Sequence, residues 1–128
     1  KTAIPVGEAF FRGILCNWIV VLAVWMSMAA TDIVGKIFAI FFPIMTFVAS
    51  GFEHSIANMY MISLGLFIKG DAAFTAASGI PAEKLSTVTV GGFFHNLIPV
   101  TLGNMVGGIF FVAVLYYLVF RSKLEDVK

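Results

Sequence analysis

The sequence predicts an all-α membrane protein, and composition, hydropathy and the length of the apolar runs each lead to that fold class. Of the 128 residues, 60% are hydrophobic and only 12% are charged. The mean hydropathy of +1.01 is far higher than a soluble domain needs to fill one core. Apolar runs long enough to cross a hydrocarbon layer of about 30 Å recur along the chain. We therefore expect the lipid bilayer to surround much of this protein.

Charge and cysteine content exclude several classes of function. The formal net charge is +1 at pH 7, with no basic stripe and no block of like charges, which argues against a nucleic-acid partner. The single cysteine, Cys16, excludes a disulfide within the chain and provides no spacing typical of a metal site. The N-terminus has neither an initiator methionine nor the pattern of a signal peptide, so we expect a piece of a longer protein.

Two apolar regions predict helices that span the bilayer. The first contains "ILCNWIVVLAVWMSMAA" and predicts a span at about residues 8–30, close to the length that a spanning helix needs. The second predicts a span at residues 88–120 and ends in "MVGGIFFVAVLYYLVF". Three glycines in this second region have a spacing typical of close helix packing in membranes: Gly103, Gly107 and Gly108.

The apolar region between these spans, at residues 37–68, is too long for one spanning helix. Its roughly 32 residues would extend about 48 Å. The stretch "SGFEHS" interrupts it, and we expect two half-helices, at residues 37–49 and 54–68, that meet inside the membrane. Backbone outside helical geometry at this depth is tolerated only within protein or beside a water-filled cavity. A pathway is therefore predicted at the four residues of the break: Ser50, Gly51, Phe52 and Glu53.

Basic residues near the C-terminus predict the orientation of the chain. With three spans, a cytoplasmic C-terminus places Lys1 on the opposite side of the membrane. It also places the short connection at residues 31–36 on the cytoplasmic side and the longer connection at residues 69–87 outside. The positive-inside rule favours this orientation because of three residues: Arg121, Lys123 and Lys128.

His54 and Asn58 are the polar residues that point most directly to an anion site. They are four residues apart, so they share a helical face if the second half-helix begins near His54. That helix would direct free N–H groups and the positive end of its dipole toward the membrane centre. His54 would add a positive charge when protonated. The alternative interpretation is that both side chains form hydrogen bonds between neighbouring helices.

Other polar and bulky residues near the break leave two interpretations open. Glu53 would repel an anion unless its carboxylate is protonated, paired or turned away from the pathway. Of these we favour a carboxylate that is turned away, where it could satisfy backbone groups at the break. Asn17 and Asn104 are single amides in apolar surroundings, which predicts either a lining of the pathway or hydrogen bonds between helices. Val20 and Phe47, from their spacing alone, are predicted to be ordinary packing residues.

Charged and polar residues near the start of the two long spans predict interfacial contacts. Glu8 and Arg12 are one turn apart and predict an ion pair at the membrane surface. His95, which precedes Asn96, is interpreted as interfacial.

Three motifs resemble the C-terminal half of the formate/nitrite transporter family. They are "RGILCNWIVVLAVWMSMAA", "GFEHSIANMYMI" and "NLIPVTLGNMVGG", and together they extend over nearly the whole chain. Members of this family are similar to aquaporins in fold, with six spans in two inverted repeats of three, and they assemble as pentamers with one pore per protomer. The resemblance implies that this chain is an aquaporin-like three-span repeat, half of a six-span protomer, with the N-terminal half of the same protein as its partner.

The resemblance also implies roles for particular residues. His54 is expected to be the central pore histidine. Val20 and Phe47 are expected at the apolar constrictions of the pore. The other pathway residues that the resemblance implies are polar: Asn58, Asn17, Asn104 and Lys1.

The function that follows is a channel or transporter for small monovalent anions, namely formate, nitrite or hydrosulfide, in the inner (plasma) membrane. No cofactor and no enzymatic chemistry are expected. His54 would either give a proton to a weak-acid anion or attract it as a cation, so we expect flux to depend on pH. One alternative is a membrane redox subunit that binds haem through His54 and His95. Another is a purely structural membrane subunit.

Overall fold

The structure, a computed structural model, describes residues 1–125, with side chains described through Arg121. Lys128 and the side chain of Lys123, on which the predicted orientation partly rests, lie outside the described part. All secondary structure in these residues is helical. The elements in chain order are α1 (Val6–Ala29), α2 (Ile33–Ala49), α3 (Ser55–Ile68), α4 (Ala72–Ser78), α5 (Ala82–Ser86), α6 (Val90–Met105), a π-helical stretch (Val106–Val114) and α7 (Leu115–Glu125).

Two helical segments are long and apolar enough to cross a membrane. One is α1, with 24 residues, and the other extends without interruption over residues Val90–Arg121. At 1.5 Å per residue, α1 is about 36 Å long, which exceeds a hydrocarbon layer of about 30 Å. The helices α2 and α3, of 17 and 14 residues, are apolar but shorter.

Glycines allow α1 to pack with its backbone in contact with α6 and with the π-helical stretch that follows α6. A Cβ atom added to Gly103 would lie 2.2 Å from the Phe10 carbonyl oxygen, and one added to Gly107 would lie 2.2 Å from the Ile14 carbonyl oxygen. Residue numbers rise together along both helices in these contacts, so the two helices are parallel. The packing role predicted for the glycines is confirmed, because only residues without a side chain permit so close an approach.

The helices α2 and α3 pack on opposite members of this pair. Most contacts of α2 are with α1, whereas α3 lies against α6. Hydrogen bonds join Ser55 to Asn104 and Asn58 to Asn96, so α3 is antiparallel to α6. No residue of α2 is buried in the described structure.

The helix α2 begins earlier than the sequence predicts. Residues 31–36 were expected to form a connection, yet α2 begins at Ile33. Asp32 is the reason, because its side chain accepts a hydrogen bond from the Gly35 amide at 2.8 Å and caps the helix. In the same way, Asp71 caps α4 inside the longer connection, which contains two short helices.

The segment at residues 37–68 is divided into two helices. Ala49 is the last residue of α2, and Ser55 is the first residue of α3. Gly51 has φ of +67°, a left-handed conformation that ends α2 and that residues with a side chain rarely adopt. His54 is extended, with φ of −113° and ψ of 118°, and it is the N-cap of α3. The break thus occupies residues 50–54.

Candidate functional site at the helix break

Arg12 of α1 holds the first part of the break. Its Nη1 donates a hydrogen bond to the Gly51 carbonyl oxygen at 3.0 Å, and its own carbonyl oxygen accepts from the Glu53 amide at 3.4 Å. The predicted ion pair between Arg12 and Glu8 is also present. Sequence analysis missed the contact with Gly51, because nothing in the order of residues shows that the break lies beside this turn of α1.

Asn104 of α6 holds the second part of the break. Its Nδ2 donates to the Gly13 carbonyl oxygen at 2.9 Å and to the Glu53 carbonyl oxygen at 3.0 Å, and its Oδ1 accepts from the Ser55 amide at 2.9 Å. Asn104 is only 6% exposed. These hydrogen bonds between elements agree with the alternative interpretation of Asn104, in which its amide joins neighbouring helices. Its role in lining the pathway stays a prediction.

The Glu53 side chain is 1% exposed and lies in a cluster of four residues, Lys1, Glu53, Asn58 and Asn96, called the Glu53 cluster below. Lys1 Nζ donates to its Oε1 at 2.8 Å. Its Oε2 accepts from Asn58 Nδ2 at 2.6 Å and from Asn96 Nδ2 at 3.3 Å. A buried carboxylate requires such partners, since an isolated one would lose its hydration without compensation. The expectation that this carboxylate satisfies backbone groups at the break is wrong, because side chains from the N-terminal segment, α3 and α6 reach it instead.

Asn58 is oriented into the Glu53 cluster. Its Nδ2 donates to Asn96 Oδ1 at 2.8 Å as well as to Glu53, while its buried Oδ1 has no partner among the described residues. Asn58 shares α3 with the His54 cap, but these hydrogen bonds join α3 to α6 and the break. Its predicted place in the pathway stays a prediction.

Asn96 is a member of this site that sequence analysis did not identify. It is 1% exposed, and its Nδ2 also donates to the Lys1 carbonyl oxygen at 3.1 Å. The spacing offered a signal, since Asn96, Val100 and Asn104 are separated by four residues each and share a helical face. All three are buried against neighbouring elements.

His54 differs from the polar residues around it because its ring is only half-buried. Nδ1 accepts a hydrogen bond from the Ala57 amide at 3.4 Å, and the Phe47 ring centroid is 6.0 Å from that of His54. A neutral imidazole that accepts at Nδ1 carries its proton on Nε2. The ring can therefore donate a hydrogen bond from Nε2 while it caps α3.

Asn17 and Val20 are half-buried residues of α1. Asn17 Nδ2 donates to the Asn104 backbone oxygen at 2.8 Å, so it also contributes to the contact between α1 and α6. The predicted roles of Asn17 in the pathway and of Val20 and Phe47 in constrictions stay predictions.

His95 is an exposed residue near the N-terminal segment, where its Nε2 lies 3.3 Å from the Ile4 carbonyl oxygen. Among the described residues, no group of three or more His, Cys, Asp or Glu side chains is arranged to hold a metal ion.

The chain is similar to known transporters. A family model described as formate/nitrite transporter matches residues 1–118. The chain is 49% identical over 117 residues to a probable formate transporter of Methanothermobacter thermautotrophicus, covering 91% of this chain and 36% of that protein. It is 47% identical over 119 residues to the formate channel FocA of Escherichia coli strain K12, covering 91% of this chain and 42% of that protein.

A solved structure has a similar fold. It is a pentameric formate channel with formate bound, and it matches with a TM-score of 0.81 and 40% sequence identity, covering 94% of this chain and 48% of that chain. The present chain thus spans less than half the length of each of these proteins.

Proposed function

The chain belongs to the formate/nitrite transporter family, and we propose that it forms the C-terminal half of a membrane channel for small monovalent anions. The family is one of membrane transporters and not a class of enzymes. Formate, nitrite and hydrosulfide are the proposed substrates, and the names of the similar proteins support formate in particular.

The position of His54 is the observation that carries this proposal. An anion that leaves water loses hydration at a cost of several kcal/mol, so a pathway must supply donors or neutralise the charge. The buried polar side chains near the break form hydrogen bonds with each other or with the backbone: Glu53, Asn58, Asn96 and Asn104. His54 instead has a half-buried ring at the N-terminal end of α3, where the positive end of the helix dipole also favours an anion.

His54 thus couples anion passage to protonation. In the neutral state it offers Nε2–H as a hydrogen-bond donor. In the protonated state it attracts the anion as a cation, and it can give its proton to a weak-acid anion, which leaves a neutral imidazole and a neutral acid. Phe47, whose ring lies beside that of His54, is proposed as one constriction of the pathway and Val20 as another. Asn17, Asn58, Asn104 and Lys1 complete the proposed polar surroundings.

We place this chain as one aquaporin-like three-span repeat of a six-span protomer, with spans at about residues 8–30, 37–49 with 54–68, and 88–120. The N-terminal half of the same protein would complete the pore. The similarity to a pentameric formate channel supports a homopentamer. The proposed location is the inner (plasma) membrane with a cytoplasmic C-terminus, which the basic residue Arg121 supports.

Flux measurements in liposomes test the proposal. The full-length protein is reconstituted, and formate, nitrite and hydrosulfide fluxes are measured between about pH 5 and pH 8, the range in which histidine titrates. We expect flux to depend on pH, and we expect His54→Phe to change that dependence while the protein assembles normally. The matched control is His95→Phe, an exposed histidine whose replacement should leave the pH profile unchanged. An assembled His54→Phe variant with the original pH profile would contradict the proposal.

A further inference from the structure

We propose that Asn104 is a positioning residue for His54, because one side-chain amide holds the backbone on both sides of the histidine. This inference rests on the proposed function of His54. It assigns to Asn104 a role that does not require contact with the anion.

The hydrogen bonds of Asn104 bracket His54. Nδ2 donates to the carbonyl oxygen of Glu53, the residue before it, and Oδ1 accepts from the amide of Ser55, the residue after it. The other N–H of the amide donates to the Gly13 carbonyl oxygen in α1. Both donors of the side chain are therefore used on backbone oxygens, and none remains for a passing anion.

These backbone groups have no partner within a helix. The first N–H groups of a helix are not satisfied by the helix itself, and those of Ser55 and Ala57 belong to the first turn of α3. Asn104 satisfies the first, and His54 Nδ1 satisfies the second. Loss of the Asn104 amide would leave a buried donor and acceptor unpaired at the two ends of His54, so the break would have to rearrange to satisfy them.

Asn104 lies where α1 and α6 pack closely, which restricts the movement of its side chain. Asn17 donates to its backbone oxygen, and the adjacent Gly103 places α6 directly against the Phe10 carbonyl oxygen. Side chains held on packed helices position a site more accurately than side chains on loops. The location of the imidazole is thus determined by the contact between α1 and α6.

Charged groups around the break are Glu53 within it, Lys1 from the N-terminal segment and Arg12 from α1. The side chains that α6 presents to the break are the amides Asn96 and Asn104. Replacement of Asn104 by a neutral residue removes no charge. A change in the pH profile of flux would therefore arise through a displaced ionisable group.

The test uses the full-length protein with Asn104→Leu, with Asn104→Ala, and with each change combined with His54→Phe. Both replacements are neutral, and both remove the acceptor for Ser55 and the two N–H donors. We expect both single variants to reduce formate flux by about tenfold, since small displacements of a functional group have large effects on rate. We also expect both to shift the pH profile. In the His54→Phe background, neither change should shift the profile further.

The control is Val100→Ala, which opens a cavity one turn earlier in α6 at a fully buried position. It should lower the melting temperature without a shift in the pH profile. Asn104 variants that assemble and keep the wild-type pH profile would overturn the inference, as would an equal shift with His54 absent. If His54→Phe itself leaves the profile unchanged, the proposed function fails. If His54→Phe changes the pH profile but the Asn104 variants leave it unchanged, this inference fails and the proposed function stands.

Discussion

At the scale of single residues, the neighbours Glu53 and His54 have opposite environments. The Glu53 carboxylate is buried among one cation and two amides, whereas the His54 ring is half-buried at the cap of α3. His54 has extended backbone angles, and in extended backbone successive side chains point to opposite sides. A carboxylate can therefore lie next to the proposed pore histidine in sequence and still face away from it.

Glu53→Leu should destabilise the protein by about 2–3 kcal/mol, because it leaves the amides of Asn58 and Asn96 buried without their shared acceptor. The loss of the Lys1 partner should contribute less, since that side chain is 32% exposed. Thermal unfolding of the assembled protein in detergent measures the effect. Glu83→Gln, at an exposed position of α5, is the control and should change stability by no more than about 0.5 kcal/mol. Equal melting temperatures for the two variants would show that the Glu53 cluster is not stabilising.

At the scale of elements, the contact between α1 and α6 determines where the break lies. Both helices form hydrogen bonds with the break. Arg12 of α1 donates to the Gly51 carbonyl oxygen, and Asn104 of α6 binds backbone groups of Glu53 and Ser55. The irregular backbone of the break is thereby satisfied by protein, as it would have to be at the proposed depth in the membrane.

Gly103→Ala should separate α1 from α6, because its Cβ would lie 2.2 Å from a backbone oxygen that cannot move away independently. We expect a loss of stability of at least about 1–3 kcal/mol, which is the usual cost of overpacking. The matched control is Gly91→Ala in the same helix, where the nearest atom to an added Cβ, Thr89 Oγ1, would be at 3.6 Å, an ordinary contact. Melting temperatures of both variants in detergent provide the measurement, and a tolerated Gly103→Ala would contradict the close packing described here.

At the scale of the whole molecule, the described chain has extensive apolar surface. α2 has no buried residue, and Phe41, Val48 and Phe67 are among the large side chains that are more than half exposed. Lipid, the N-terminal half or neighbouring subunits would each be compatible with such a surface.

The full-length protein should assemble as a ring of five subunits, as the similarity to a pentameric formate channel suggests. Native mass spectrometry in mild detergent measures the mass of the complex directly. His54→Phe should give a complex with the same number of subunits as the wild type, since the role proposed for His54 concerns the anion and not the contacts between subunits. A monomer under conditions that preserve helical content would count heavily against the pentamer.

The sequence alone determined the helical class, the division of residues 37–68 and the family, because each depends on local pattern. Long apolar runs predict helices in lipid. An apolar segment that is too long for one span and contains Ser50 and Gly51 is predicted to form two helices. The motif around His54 also led to the proposal that this residue is a pore histidine, which stays a prediction. Gly103 and Gly107 likewise revealed a packing face through their spacing alone.

Only the tertiary structure decided what the amides and the carboxylate contact. Asn104 meets Glu53 and Ser55 across about fifty positions of sequence, and Asn96 meets Lys1 across ninety-five. The sequence around a lone asparagine in an apolar helix does not show whether its side chain lines a pathway or forms hydrogen bonds with backbone groups. The difference depends on which helices lie side by side, and in this chain that is determined by how closely the glycines let α1 approach α6.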